Sequence, residues 1–199
     1  MRSIQVVNVR WFNATAWYGM YLSRLLLESG HEVLVLGLPD TLSARKGQEW
    51  GLPMQLLDLN TATPWGIAAL YGKLKGLVRE FKPDVVNCHR GESYLLWGLL
   101  KKELGSFRLV RTRGDQRLPK ANIVNRWLHN DVSDAVITTN SPMTRHFQNV
   151  FKVPQGKLHQ ILGGVDTGAF CPDPAARARI RAELGYGDND FVVGLLGRF

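Results

Sequence analysis

Four short stretches gather acidic, basic, histidine, glycine and aromatic residues directly after apolar, strand-like runs. They are Arg10-Trp11-Phe12-Asn13-Ala14-Thr15-Ala16, His89-Arg90-Gly91-Glu92, Gly114-Asp115-Gln116-Arg117 and Gly163-Gly164-Val165-Asp166. Arginines and carboxylates hydrogen-bond phosphates and hydroxyls, small residues admit close backbone approach, and aromatic rings stack. Such a mixture suits a polar, hydroxylated, anionic ligand. The candidate ligand contacts are Asn13, Ala14, Thr15, His89, Arg90, Glu92, Arg113, Gly114 and Arg117. Asp115 is the candidate for the chemistry, because packing does not require an acid after a glycine at a strand end. Each position also has a plainer reading. Arg111 and Arg113 alternate with Val110 and Thr112 and read equally as solvated, Glu92 as a first-turn acid of the next helix, and His89 as a core histidine bonded to a carbonyl. Trp11, Trp17 and Tyr18 read as wall and core before they read as a stacking platform.

Several familiar motifs fail on context. Asp188-Asn189-Asp190 resembles a metal-holding acidic triplet but precedes an apolar run, whereas such sites lie past the carboxyl ends of strands. His31-Glu32-Val33 lacks the second histidine of a zinc helix, and Arg113-Gly114-Asp115 spells an adhesion tripeptide by chance. The chain has no Walker loop, no G-x-G-x-x-G and no nucleophile elbow. No metal and no cofactor is expected.

Positioning these loops falls to an alternation of short apolar runs with longer segments of helical period, which predicts an α/β fold with a doubly wound parallel sheet. Strands are expected at 4–9, 32–37, 54–57, 84–88, 108–113, 135–138 and 158–161. Helices are expected at 17–29, 43–50, 64–81, 93–104, 121–130 and 142–150. Thr63-Pro64, Ser141-Pro142 and Asp173-Pro174 each read as a capping side chain before a first-turn proline, and Gly30 as a left-handed cap. In an open parallel sheet the loops past the carboxyl ends line one crevice. The run 191–196 reads as one more strand, followed at once by Gly197-Arg198-Phe199, and so as the opening of a second domain. The expected division is 1–172 and 173–199.

The chain has 199 residues, of which 45% are hydrophobic and 21% charged, which suits a globular protein and excludes disorder, collagen and coiled coil. The net charge is +8, and residues 101–130 carry eight basic against two acidic residues, which points to an anionic partner. Cys88 and Cys171 lie far apart and read as free thiols. No apolar stretch nears the roughly 18 residues of a membrane span, and the N-terminus does not read as a secretory signal. A cytoplasmic protein is expected, with peripheral contact at a membrane surface open.

Leu25-Leu26-Leu27-Glu28-Ser29-Gly30-His31-Glu32-Val33, Lys82-Pro83-Asp84-Val85-Val86-Asn87-Cys88-His89, Gly164-Val165-Asp166-Thr167-Gly168-Ala169-Phe170-Cys171-Pro172 and Val193-Gly194-Leu195-Leu196-Gly197-Arg198-Phe199 occur in that order. Together they resemble the N-terminal half of the retaining glycosyltransferases of family four, over essentially all of the chain. The resemblance implies a GT-B fold of two Rossmann-like domains, with the acceptor held by the N-terminal one. It implies transfer of a sugar from a nucleotide-sugar co-substrate, with retention and without a metal. Arg198 matches the arginine that neutralises the donor diphosphate, and the rest of the donor site is expected beyond this chain. Two departures stand out. Asn13-Ala14 replaces a double glycine in the first loop, and Gly114 stands where many members have a histidine, a place Asp115 is expected to fill.

The leading expectation is the acceptor-binding domain of a retaining glycosyltransferase of envelope or exopolysaccharide assembly, inactive by itself. Its partners would be a glycan or lipid-linked acceptor, a nucleotide-sugar donor and an anionic membrane surface, with no nucleic acid. Half of a nucleotide-sugar epimerase and a non-catalytic sugar-phosphate binding module remain alternatives.

Overall fold

A computed structural model describes residues 1–115 and 117–195. The chain divides into two units, Met1–Gly163 and Gly164–Phe199.

In the first unit seven strands form one sheet, all pairs parallel, in the order β3-β2-β1-β4-β5-β6-β7. They are β1 Arg2–Val7, β2 Glu32–Gly37, β3 Met54–Leu56, β4 Val85–Cys88, β5 Arg108–Arg113, β6 Ala135–Thr138 and β7 Leu158–Gln160. The order runs outward from β1 in one direction and from β4 in the other, so the topological switch lies between these two strands. There the crossovers leave on opposite faces and open a crevice past the carboxyl ends.

Alternation along β1 divides the core. Ile4 and Val6 pack with Val86, Leu109 and Trp97 on one face, while Val7 packs with Ala16, Met20 and Val35 on the other. The first face is covered by α3 Pro64–Phe81 and α4 Tyr94–Leu104, which contribute Leu70, Leu74, Trp97 and Leu100 to that core. On the second face α1 Ala14–Glu28 packs on β1 and β2. The helix starts three residues earlier than expected, because Asn13 Oδ1 accepts from the N–H groups of Thr15 and Ala16, both at 3.1 Å. Thr41 caps α2 Leu42–Glu49, and Thr63 caps α3 ahead of Pro64 as its sequence indicates. Gly30 takes φ +78°, the left-handed conformation expected of it.

Two expected helices change character partway. α5 Ile123–Trp127 continues as a π-helical turn, Leu128–Val132, and α6 Ser141–His146 as another, Phe147–Phe151. A π turn inserts an extra residue per loop of the helix. Here the rings of Phe147 and Phe151 come to 4.8 Å of each other and 5.0 and 5.2 Å from His129. That cluster of three rings is a tertiary packing demand with no counterpart in a 3.6-residue period. The cap of α6 is Asn140 rather than Ser141, its Oδ1 accepting from Met143 N at 2.9 Å.

In the second unit Asp173 caps α7 Pro174–Leu184, and Gly185 closes it with φ +74°. The described part of the last apolar run, 191–195, is not a strand, and Phe191 is 94% exposed. This corrects the expected strand. An apolar run has no ladder partners of its own, and only pairing with a second strand makes it one.

Candidate functional site

Among the described residues of the first unit, a recess lies on each side of the switch at the carboxyl edge of the sheet. The first, with a volume of about 280 Å³, lies over β4, β5 and β6. The start of α1 supplies Ala14, Thr15, Trp17 and Tyr18 to its wall, and the strand ends supply His89, Thr112, Gly114, Thr139 and Gly163. The second, about 820 Å³, lies toward β2 and β3, with Arg10, Trp11, Asp40, Asp58, Arg90 and Glu92 among its lining.

A layer of buried polar side chains supports the first recess. Gln5 on β1 and Asn87 on β4 are adjacent in register. Thr112 Oγ1 on β5 donates to Asn87 Oδ1 at 2.9 Å. Gln5 Nε2 donates to Ser3 Oγ at 2.5 Å, which turns its Oε1 toward His89 Nε2 at 2.9 Å. The acceptor oxygen of Gln5 requires His89 to carry its proton on Nε2, leaving Nδ1 as the acceptor nitrogen of a neutral ring. His89 is buried, and burial, aided by the Arg111 cation, pushes its pKa down to about 3. α1 presses against the same ring, where a Cβ on Gly19 would lie 3.1 Å from His89 Cδ2 and 2.7 Å from Val7 Cγ2.

Arg111 is not a solvated surface residue. It is buried, with no ion-pair partner among the described residues, donating from Nη1 to the Cys88 carbonyl at 2.6 Å with its guanidinium 5.2 Å from the Tyr94 ring centroid. Burial, with the neighbouring Arg113 charge, lowers its pKa to about 10. The cation therefore persists at neutral pH near the end of β5.

The candidate residues divide among different tasks. Ala14, Thr15, His89 and Gly114 lie together on the first recess, and Arg90 and Glu92 on the second. Arg90 and Glu92 pair with each other through two contacts, at 3.1 and 2.6 Å. Burial raises the Glu92 carboxyl, but the Arg90 pair outweighs it and the net shift is downward. Asn13 is engaged as the cap of α1. Arg113 Nη2 donates to Asp115 Oδ1 at 2.7 Å and to the Arg117 carbonyl at 2.9 Å, so these three residues form one tied turn past β5. Gly163 reaches the first recess, whereas Asp166 belongs to the second unit and caps its own turn at Gly168 N, 2.9 Å. Arg198 and Gln116 lie outside the described residues.

Sequence reasoning passed over Asn8, Asp40, Asp58 and Asn60, although these too follow strands, and over the polar layer of Gln5 and Asn87. Inward-facing polar residues within otherwise apolar strands were the available signal for that layer. The basic segment 101–130 is also less of a patch than its composition suggests. Arg111 is buried, Lys101 and Arg108 both pair with Asp134, and Arg113 pairs with Asp115. Arg117 and Lys120 are exposed, beside the exposed apolar side chains of Leu118 and Ile123. Among the described residues no three His, Cys, Asp or Glu side chains group to hold a metal, and no helix is long and apolar enough to cross a membrane.

The chain is 35% identical over 129 residues to a GDP-mannose-dependent alpha-(1-6)-phosphatidylinositol monomannoside mannosyltransferase of Mycolicibacterium smegmatis. That match covers 62% of this chain and 33% of the relative. In structure the chain is similar to Anabaena HepE in complex with UDP, with a TM-score of 0.77 at 15% identity, covering 93% of this chain and 50% of that one. It is also similar, with a TM-score of 0.57 at 15% identity, to the UDP-N-acetylglucosamine 2-epimerase of Rickettsia bellii, covering 94% of this chain and 49% of that one. The structural likenesses show a Rossmann-like fold that spans about half of each GT-B-type neighbour, and that fold is common to transferase and epimerase. The sequence separates them: residues 16–169 match the profile of Glycosyltransferase Family 4, and the chain belongs to that family.

Proposed function

We propose that this chain is the acceptor-binding part of a retaining glycosyltransferase that moves a sugar, without a metal, from a nucleotide-sugar to a lipid-linked glycan acceptor. The observation that carries this reading is the first recess. It is a crevice at the topological switch, walled by Trp17 and Tyr18, floored by a hydrogen-bonded polar layer and furnished with a neutral histidine. A sugar ring offers apolar C–H faces to the aromatic wall and hydroxyls to polar groups. In this reading His89 Nδ1 accepts a hydrogen bond from an acceptor hydroxyl, and the Thr112 and Thr139 side chains fix the ring beside it. Asp115 takes the place of the family's histidine past β5, oriented for acceptor contact by Arg113.

The buried Arg111 charge and the exposed Arg117 and Lys120 give this edge a positive character that suits an acceptor with an anionic anchor. Leu118 and Ile123, the latter 84% exposed, stand beside those cations. We read this rim as the part that meets the inner, cytoplasmic face of the membrane, as expected for a lipid-linked acceptor. The relative's GDP-mannose and phosphatidylinositol mannoside are the first donor and acceptor to try. Donor binding, with Arg198 on the diphosphate, belongs to the opposing domain.

The test is donor consumption by the complete enzyme. GDP release from GDP-mannose that depends on added phosphatidylinositol mannoside is the expected result, and a panel of other nucleotide-sugars extends it. Interconversion of UDP-N-acetylglucosamine with its 2-epimer, without acceptor, would replace this reading with the epimerase one. Saturable binding with no turnover on any pair would favour a binding module.

A further inference from the structure

We propose that the second recess, built around Asn8, Asp58 and Asn60, is a subsite for a neutral polyhydroxylated ring of the acceptor, one that is bound but does not react. The proposal rests on the acceptor-binding reading above and adds a ligand class for a cavity that reading leaves unused.

The hydrogen-bonding inventory selects the ligand. Asp58 Oδ1 accepts from the backbone N–H of Asn60 at 2.8 Å and from its Nδ2 at 3.0 Å. Asn60 Oδ1 in turn accepts from Asn8 Nδ2 at 3.3 Å. This chain fixes the rotation of the Asn8 amide, which is buried, and leaves its Oδ1 with no partner among the described residues. A buried acceptor without a donor destabilises the fold, and Asn8 stands on the wall of this recess, where a ligand hydroxyl is the group that would satisfy it. Asp40 and Asp58 add carboxylate oxygens to the same wall. Arg90 is tied to Glu92, so Arg10 is the cation on this wall outside that pair. A site so rich in acceptors needs a ligand that donates. Phosphate donates poorly at neutral pH and would face three carboxylates, whereas a polyol brings a hydroxyl to each oxygen.

Size and position agree. The recess holds about 820 Å³, ample for one six-membered ring with its hydroxyls and ordered water. Trp11 stands on its wall, and an indole face suits the C–H face of such a ring. The segments after β1 and β4 reach both recesses, Arg10, Trp11, Arg90 and Glu92 lining one, and His89 with Ala14 and Thr15 at the start of α1 lining the other. An acceptor of two or more rings can therefore lie across the switch, with its reacting ring at His89 and its neighbour at Asn8.

The test follows backbone amide NMR signals of this chain during titration with methyl α-D-mannopyranoside, myo-inositol and, separately, inorganic phosphate. The two polyols are expected to move the signals of Asn8, Asp58 and Asn60, and phosphate to leave them in place. Asp58→Asn, which keeps the exposed side chain's bonds to Asn60 and so the fold, and Arg10→Ala should each weaken polyol binding about tenfold or more. In the complete enzyme the same substitutions should raise the acceptor KM with kcat and donor KM unchanged. Polyol shifts confined to Ala14, His89 and Gly114 would overturn the subsite while leaving the transferase reading intact. Stronger shifts with phosphate, or none with any probe, would overturn it as well. Polyol binding at Asn8 in an enzyme that transfers no sugar would sustain the subsite and sink the transferase reading instead.

Discussion

The Arg113–Asp115 pair has one carboxylate serving two ends, the turn past β5 and, in the proposed reaction, the acceptor. Replacing the carboxylate by an amide keeps the shape and an acceptor oxygen for Arg113 but removes the charge. If Asp115 touches the acceptor as proposed, Asp115→Asn in the complete enzyme should lower turnover about 10²-fold, the range of losing a positioned acid–base group. Its thermal midpoint should move little, since an ion pair with one third-exposed partner contributes modestly. Unchanged turnover would remove Asp115 from the chemistry, and a parallel fall in stability would make it a fastener of the turn. His89 presents a different logic. Its partner Gln5 sets the tautomer, so Gln5→Glu, which offers only acceptors to Nε2 at neutral pH, should raise the histidine's pKa, and proton NMR of the ring reads that directly.

At the scale of elements, the recess depends on how closely α1 lies on β1 and β4. Gly19 permits the approach, because a Cβ there would meet Val7 and His89 well inside van der Waals distance. Gly19→Ala is therefore expected to destabilise the chain by about 1–3 kcal/mol despite alanine's better helix propensity. Gly72 and Gly76 in α3 form the natural control, since nothing lies within 4 Å of a Cβ at either. Gly72→Ala and Gly76→Ala should each raise stability by about 0.5–1 kcal/mol. Urea midpoints of the three variants check both signs together. The paired π-helical turns make the matching point on the other side of the sheet, holding His129 against two phenylalanines where a regular helix would rotate them apart.

For the whole molecule, the buried histidines make stability depend on pH. Burial holds both His89 and His129 at about 3, against about 6.5 in the unfolded chain. Below pH 6.5 the unfolded chain takes up protons that the folded one refuses, so stability falls as pH drops and is fully present above that value. At pH 5 the loss is about 2 kcal/mol for each histidine relative to pH 7.5. His129→Phe keeps a ring among Phe147, Phe151 and Tyr94 and should roughly halve the dependence, as urea titrations at the two pH values would show. Function has a whole-molecule requirement too. The chain spans about half of the solved GT-B neighbour and a third of the curated relative. Residues 1–199 alone are expected to transfer no sugar, since holding donor and acceptor together contributes about 7–11 kcal/mol to such a step. Calorimetry with GDP-mannose and a donor-consumption assay check this, and transfer by the chain alone would place the donor site in this half.

The seven strands and their parallel arrangement were legible because they rest on local signals. An apolar run, a cap before a proline and a helical period are properties of neighbours in sequence, and β2, β5 and β6 lie where those signals put them. Loops following such strands share one edge by the rule of parallel winding, so His89, Gly114 and Ala14 could be grouped without coordinates. What that rule leaves open is lateral distance along the edge. Only the strand order decided that Arg90 and Glu92 face Asp58 in one recess while His89, one residue earlier, faces Thr112 in another. Charge followed the same division: eight basic residues within 101–130 looked like a single surface, yet Arg111 is sunk into the core and three others are paired. The apolar run 191–195 marks the same limit from the other direction, since apolarity is carried by the run itself and a strand is a relation between two. Residue type and period are written locally along the chain, whereas burial, pairing and shared cavities are properties of distance in space, which the tertiary structure alone supplies.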